Sequence, residues 1–109
     1  EIDDLDSTAF HAIAIVNGSV IGTGRLLVDS PKEARIGRMA VSLEHRRGGI
    51  GGLVLQFLEG EAKSQGIGRI TLNAQRYVTS FYANHGYKEV GEPFTEAGIP
   101  HIQMIKNLS

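Results

Sequence analysis

Arg46-Arg47-Gly48-Gly49-Ile50-Gly51-Gly52 joins two cations to four glycines immediately before an amphipathic segment. From Ile50 onward, Leu53, Val54, Phe57, Leu58 and Ala62 recur at three- and four-residue steps, which is one face of an α-helix. The glycines therefore stand at the helix N-terminus. There the first backbone N–H groups have no intrahelical partner and the helix dipole is positive. Residues without side chains let an anion come close to those donors, so the stretch reads as a seat for phosphate.

Upstream, His11 to Val16 and Ser19 to Val28 are rich in Ile, Val and Leu and flank Asn17-Gly18, a dipeptide suited to a tight turn with positive φ. This predicts an antiparallel hairpin. Asp29-Ser30-Pro31 breaks its second strand, and Ala34 to Ser42 supplies a third strand ending just before the glycines. The helix should run from about Gly49 to Gln65, with Glu59 and Lys63 paired at i,i+4 on its wet face and Gly66 as C-terminal cap. Gly60 inside it should cost roughly 1 kcal/mol against alanine.

Downstream, Arg69 to Ala74 alternates as a strand and completes a βαβ crossover, so it should lie parallel to the Ala34 to Ser42 strand. A short helix around Val78 to His85 follows, ended by Gly86. Lys88 to Phe94 and Ile99 to Lys106 then pair around Glu96-Ala97-Gly98. The predicted fold class is α/β, a mixed α+β sheet flanked by helices in the order β-β-β-α-β-α-β-β.

The chain has 109 residues, enough for one domain spanning 1–109. Its formal charge of -1, with cations and anions nearly matched, argues against general attraction to nucleic acid or anionic lipid. There is no cysteine, which excludes disulfides, thiolate zinc sites and cysteine nucleophiles. The four histidines have no metal-ligand spacing, and no metal is expected. No run approaches a membrane span or a signal peptide, and a cytoplasmic location is the expectation.

Arg46-Arg47-Gly48-Gly49-Ile50-Gly51 resembles the acetyl-CoA motif of the GNAT superfamily of N-acetyltransferases, and Phe81-Tyr82-Ala83-Asn84-His85-Gly86-Tyr87 is similar to that family's second signature. Arg35 to Val41, Leu72 to Gln75 and Gly98 to Met104 look more narrowly like its ElaA-type branch. The resemblance covers essentially the whole chain and implies a GNAT-like fold with acetyl-CoA as cosubstrate. Members usually begin with another strand and one or two helices that wall the acceptor pocket. This chain opens at Glu1 rather than methionine, and by comparison it lacks them. Cofactor binding therefore carries over more fully than acceptor binding.

For the cofactor, the resemblance implies that backbone N–H groups from Arg47 through Gly52, including Gly48, Gly49, Ile50 and Gly51, hold the pyrophosphate. Arg46 occupies the first motif position, and Arg47 is compatible with phosphate or with solvent. Met39, Ala40 and Val41 are implied as the strand that bonds the pantetheine arm and offers an N–H to the thioester oxyanion. Gln75 stands where many relatives have asparagine, close enough to cap the next turn or touch the cofactor. The same glycines and arginines also suit an ordinary strand-to-helix connection.

Tyr82 aligns with the tyrosine that in many relatives protonates the departing thiolate, although it also belongs to the apolar face of its helix. A phenol of pKa near 10 is able to donate to a thiolate whose conjugate acid lies near 8.5. For the base, His11, Glu33, Glu44, His45 and His101 are chemically suitable, with His101 preferred and a structural role for it left open. The expected function is acetyl transfer from acetyl-CoA to a primary amine of a small molecule or peptide by direct attack, without an acyl-enzyme. A homodimer is an allowed assembly. The alternatives are a non-catalytic CoA-binding or interaction module of the same fold, or a nucleotide-binding domain. The last is disfavoured by the absence of a Walker lysine or an acidic ribose partner.

Overall fold

Asn17 and Gly18 both take positive φ, 51° and 83°, and strands β1 (Ala9–Val16) and β2 (Ser19–Ser30) pair antiparallel around them. This is the hairpin the dipeptide predicts, because its turn twists with the strands. The computed structural model describes residues 9–46 and 48–108. Strand β3 (Glu33–Val41) pairs antiparallel with β2 and leads through a single 3-10 turn, Leu43–His45, to helix α1 (Ile50–Ser64). Then come β4 (Arg69–Gln75), a 3-10 turn at Arg76–Val78, helix α2 (Thr79–Ala83), β5 (Lys88–Glu96) and β6 (Ile99–Asn107). The order matches the expectation, with the 3-10 turns added.

The six strands form one sheet in the order β1-β2-β3-β4-β6-β5. β3 and β4 are parallel, as the crossover through α1 requires. Val54, Leu55, Leu58 and Ala62 of α1 pack on Ala12, Leu26, Ile36, Ile70, Leu72, Ile102 and Met104 from the sheet. Among the described residues no helix is long and apolar enough to cross a membrane.

The buried stripe of α1 differs from the predicted one. Leu53 and Phe57 are about 60% exposed, at 61% and 60%, while Glu59 is buried at 8%. Glu59 does not pair with Lys63 on a wet face: its carboxylate accepts from Tyr87 Oη at 2.8 Å and Lys106 Nζ at 3.1 Å. Two donors make a carboxylate tolerable inside the protein, and they lie far along the chain where helix spacing cannot reveal them. A Cβ at Gly60 would meet no atom within 4 Å, so no close approach requires that glycine.

Ala97 and Gly98, at φ 52° and 77°, form the β5–β6 turn with both residues left-handed. Alanine is strained there, whereas asparagine tolerates the region better. Ala97→Asn is expected to stabilise the protein by about 0.5–1 kcal/mol, read as a raised midpoint in urea unfolding with an unchanged slope.

Candidate functional site

β3 and β4 stay paired for three residues only. Glu33, Ala34 and Arg35 face Arg69, Ile70 and Thr71, and beyond them no ladder joins the two strands. Ile36 to Val41 and Leu72 to Gln75 therefore border an opening in the middle of the sheet. A bulge in β3 accompanies the parting. Thr23 faces Ala40 and Arg25 faces Gly37, so Arg38 and Met39 share the single partner position of Gly24. Arg38 adopts φ 55°, and its carbonyl accepts from Thr23 Oγ1 at 3.3 Å.

A cleft of about 1140 Å³ occupies this opening. In β4, Ile70, Leu72 and Ala74 turn to the helices, whereas Thr71, Asn73 and Gln75 alternate to the other face. Leu72 and Asn73 both line the cleft, so it reaches both faces of the sheet.

At the helix side of the cleft stands the glycine turn. Gly49 is the N-cap of α1 at φ 81°, a conformation that favours glycine. Gly48 N–H is already committed to His45 O at 3.2 Å, which removes it from the set of expected phosphate donors. Leu53 N–H bonds Gly49 O. The N–H groups of Gly49, Ile50, Gly51 and Gly52 have no backbone acceptor among the described residues. Gly49, Gly51 and Gly52 line the cleft; Gly48 and Ile50 do not, and Ile50 packs inward against Gly22.

Two of the glycines serve packing as well. A Cβ on Gly51 would stand 3.3 Å from Phe81 Cζ, and one on Gly52 would stand 3.0 Å from His85 Nε2. α2 and the turn after it thus sit directly on the first turn of α1. Arg46 lines the cleft and donates from Nε to Val41 O at 3.1 Å, which ties the turn back to the end of β3. Arg47 lies outside the described residues.

Met39, Ala40, Val41, Gln75, Tyr82 and His101 also line the cleft. Tyr82 is buried and packs edge-on to Phe81 and Tyr87, with ring centroids 5.0 and 5.9 Å away. Its hydroxyl has no hydrogen-bond partner among the described residues, unlike that of Tyr87. His101 is 7% exposed and stacked on Phe94. Its Nδ1 lies 2.7 Å from Ile99 O; a carbonyl only accepts, so Nδ1 carries the proton and Nε2 is left as an acceptor in the neutral ring.

Of the five acid–base candidates, His101 alone lines the cleft; His11, Glu33, Glu44 and His45 do not. Glu33 faces Arg69 at 3.8 Å, and His45 Nδ1 pairs with Ser42 Oγ at 2.7 Å. Sequence reasoning missed Arg25, Arg38 and Glu96, which line the cleft as well. Arg25 sits in a strand that reads as a plain hairpin arm, and Glu96 beside a turn that reads as solvent-facing; the pairing register is the only signal that finds them. Among the described residues no group of three or more His, Cys, Asp or Glu is placed to hold a metal.

Burial raises the Tyr82 phenol above its ordinary 10.0. Tyr87 is raised further, first by burial and then by its bond to the Glu59 carboxylate. The fold thus favours both neutral forms. Their contribution to stability is fully present below the unfolded-state value of about 10 and is lost as pH rises through the folded-state values. The thermal midpoint is expected to fall above about pH 10, and less steeply in Tyr82→Phe; an identical decline in that variant would contradict the burial argument.

The family model described as acetyltransferase (GNAT) domain matches residues 1–108. An uncharacterised N-acetyltransferase of Bacillus subtilis, YjcF, is 35% identical over 98% of this chain and 76% of its own length. The crystal structure of Escherichia coli ElaA superposes with a TM-score of 0.83 at 28% identity, covering 97% of this chain and 74% of that one. A GNAT family acetyltransferase from Elizabethkingia anophelis, solved with acetyl-CoA bound, superposes at a TM-score of 0.81 and 19% identity over 95% of this chain and 79% of its own. At that identity the likeness is one of fold.

Proposed function

The chain belongs to the GNAT acetyltransferase family, and from that premise we propose that residues 1–109 form one N-acetyltransferase domain that moves an acetyl group from acetyl-CoA to an amine. The parting of β3 from β4 carries this reading, because it leaves a slot running from N–H groups without a backbone acceptor among the described residues to a phenol without a partner among them. The E. anophelis protein of the same fold binds acetyl-CoA.

In this mechanism the N–H groups of Gly49, Gly51 and Gly52 and the Arg46 guanidinium take the pyrophosphate. The pantetheine arm lies along Met39 to Val41, beside Gln75, where β3 has no β4 partner. A β3 backbone N–H receives the developing oxyanion. The acceptor enters from the opposite face and gives its ammonium proton to His101 Nε2, directly or through water. The neutral amine attacks the thioester carbon, the nitrogen of the adduct sheds its second proton to solvent, the C–S bond breaks to leave the amide, and Tyr82 donates its phenolic proton to the departing thiolate. Solvent restores the phenol and removes the proton from His101.

A CoA-release assay over a panel of primary amines tests the proposal. The expected result is amine-dependent CoA release with stoichiometric amide product. Acetyl-CoA binding without release against any amine would instead favour the non-catalytic CoA-binding module.

A further inference from the structure

We propose that the sheet face away from the helices selects acceptors bearing a carboxylate, which Arg25 and Arg38 bind while the amine lies toward His101 and Glu96. This rests on the acetyltransferase reading of the cleft and names its substrate class: amino acids or short peptides whose amine and carboxylate are several bonds apart.

Arg25 faces Gly37, and Leu27 faces Arg35 across the β2–β3 ladder. Partners directly opposite share a face, and their neighbours Leu26 and Ile36 are in the core beneath the helices. Arg25, Gly37 and Arg35 therefore belong to the opposite face, and the bulge brings Arg38 to the same cleft. A Cβ on Gly37 would meet nothing within 4 Å, so there is open space between the arginines.

Charge then distinguishes them. Arg35 is neutralised by Asp29 through a forked contact, with Nε 2.9 Å from Oδ2 and Nη2 3.0 Å from Oδ1. Arg25 and Arg38 have no carboxylate partner among the described residues, although Arg25 is half-buried. Arg38 is exposed, and a guanidinium lining a cleft without a counter-ion among the described residues favours an incoming anion, its planar fork suiting a carboxylate.

The other bank has the opposite character. Thr71, Asn73 and Gln103 are uncharged, and Glu96 is the one acid among the described residues that line the cleft. The cleft thus runs from cations on β2 and β3 to an acid and a histidine on β5 and β6. β2 and β6 are three strand intervals apart, about 14 Å in a continuous sheet, and more here because β3 and β4 have parted at this level. Side chains close part of that distance, and a ligand spanning the rest needs a spacer between its charges.

Two product analogues separate the effect of charge from that of shape: 6-acetamidohexanoate and its neutral amide, 6-acetamidohexanamide. Each is titrated calorimetrically into protein saturated with CoA. The acid is expected to bind at least about ten-fold tighter than the amide, as one charge-assisted fork would give. Arg25→Gln and Arg38→Gln should each remove most of that preference while leaving amide binding within about two-fold, and Arg25→Lys should retain part of it. Thermal midpoints show whether the variants fold. Equal affinity for acid and amide, no binding of either, or a preference untouched by both glutamine variants overturns the inference. Failure of acetyl-CoA itself to bind, measured separately, counts against the acetyltransferase reading instead.

Discussion

Tyr82→Phe is expected to lower kcat for acetyl transfer by about 100-fold while leaving KM for acetyl-CoA nearly unchanged. The substitution removes one oxygen and keeps the ring, so the edge contacts to Phe81 and Tyr87 and the burial of the side chain persist. No protein hydrogen bond among the described residues is lost with that oxygen, and stability should change by less than about 0.5 kcal/mol. What disappears is the donor proposed for the thiolate. Burial makes the donor dependable: a phenol held above its ordinary pKa stays protonated throughout the neutral range. Steady-state kinetics with a good amine acceptor reads the split directly. An unchanged kcat, or a loss confined to KM, would remove Tyr82 from the chemistry and leave it as core.

Gly24→Val is expected to be the most destabilising single substitution in the sheet. A Cβ at position 24 would stand 2.7 Å from Met39 Sδ, 2.8 Å from Leu58 Cδ1 and 2.9 Å from Val54 Cγ1. Met39 is able to move, but Leu58 is fully buried and Val54 nearly so. Gly24→Ala should cost about 1–3 kcal/mol as ordinary overpacking, and valine more. For a domain this size each kcal/mol lowers the thermal midpoint by roughly 4 to 8 °C. The effect should extend to ligand binding, because Gly24 faces the Arg38–Met39 bulge and Met39 must shift to make room. Calorimetry of Gly24→Ala is expected to show a lower thermal midpoint together with weaker acetyl-CoA binding. A midpoint equal to that of the parent protein would mean the bulge and core absorb the methyl group freely.

Local signals made much of this architecture legible. Asn17-Gly18 fixed the first hairpin, strand alternation located β4, and the glycines before an apolar helical stripe located both α1 and its exposed N–H groups. Long-range effects were hidden. Glu59 reads as solvent-facing because its partners, Tyr87 and Lys106, are 28 and 47 residues away. The α1 stripe consequently reads as including Leu53 and Phe57, which are exposed. Arg38 gives no sign of positive φ, since the bulge arises from its register with β2 and not from its own type. The glycine turn proposed for the pyrophosphate is legible because Arg46 and Gly49 to Gly52 sit in one contiguous stretch. The proposed acceptor side draws on β2, β3, β5 and β6, and no local pattern gathers Arg25, Arg38, Glu96 and His101 together, although all four line the cleft.

The central claim is that the opening between β3 and β4 holds acetyl-CoA with its pyrophosphate on the first turn of α1. Calorimetric titration of acetyl-CoA into the protein and into Gly51→Val tests it most directly, because position 51 lines the cleft at the proposed phosphate seat and a side chain there would press on Phe81, 3.3 Å from the Cβ position. The account predicts saturable one-to-one binding to the parent protein, with a dissociation constant between about 1 μM and 1 mM, and at least ten-fold weaker binding to a folded Gly51→Val. No binding to the parent protein, or equal binding to both, would contradict it.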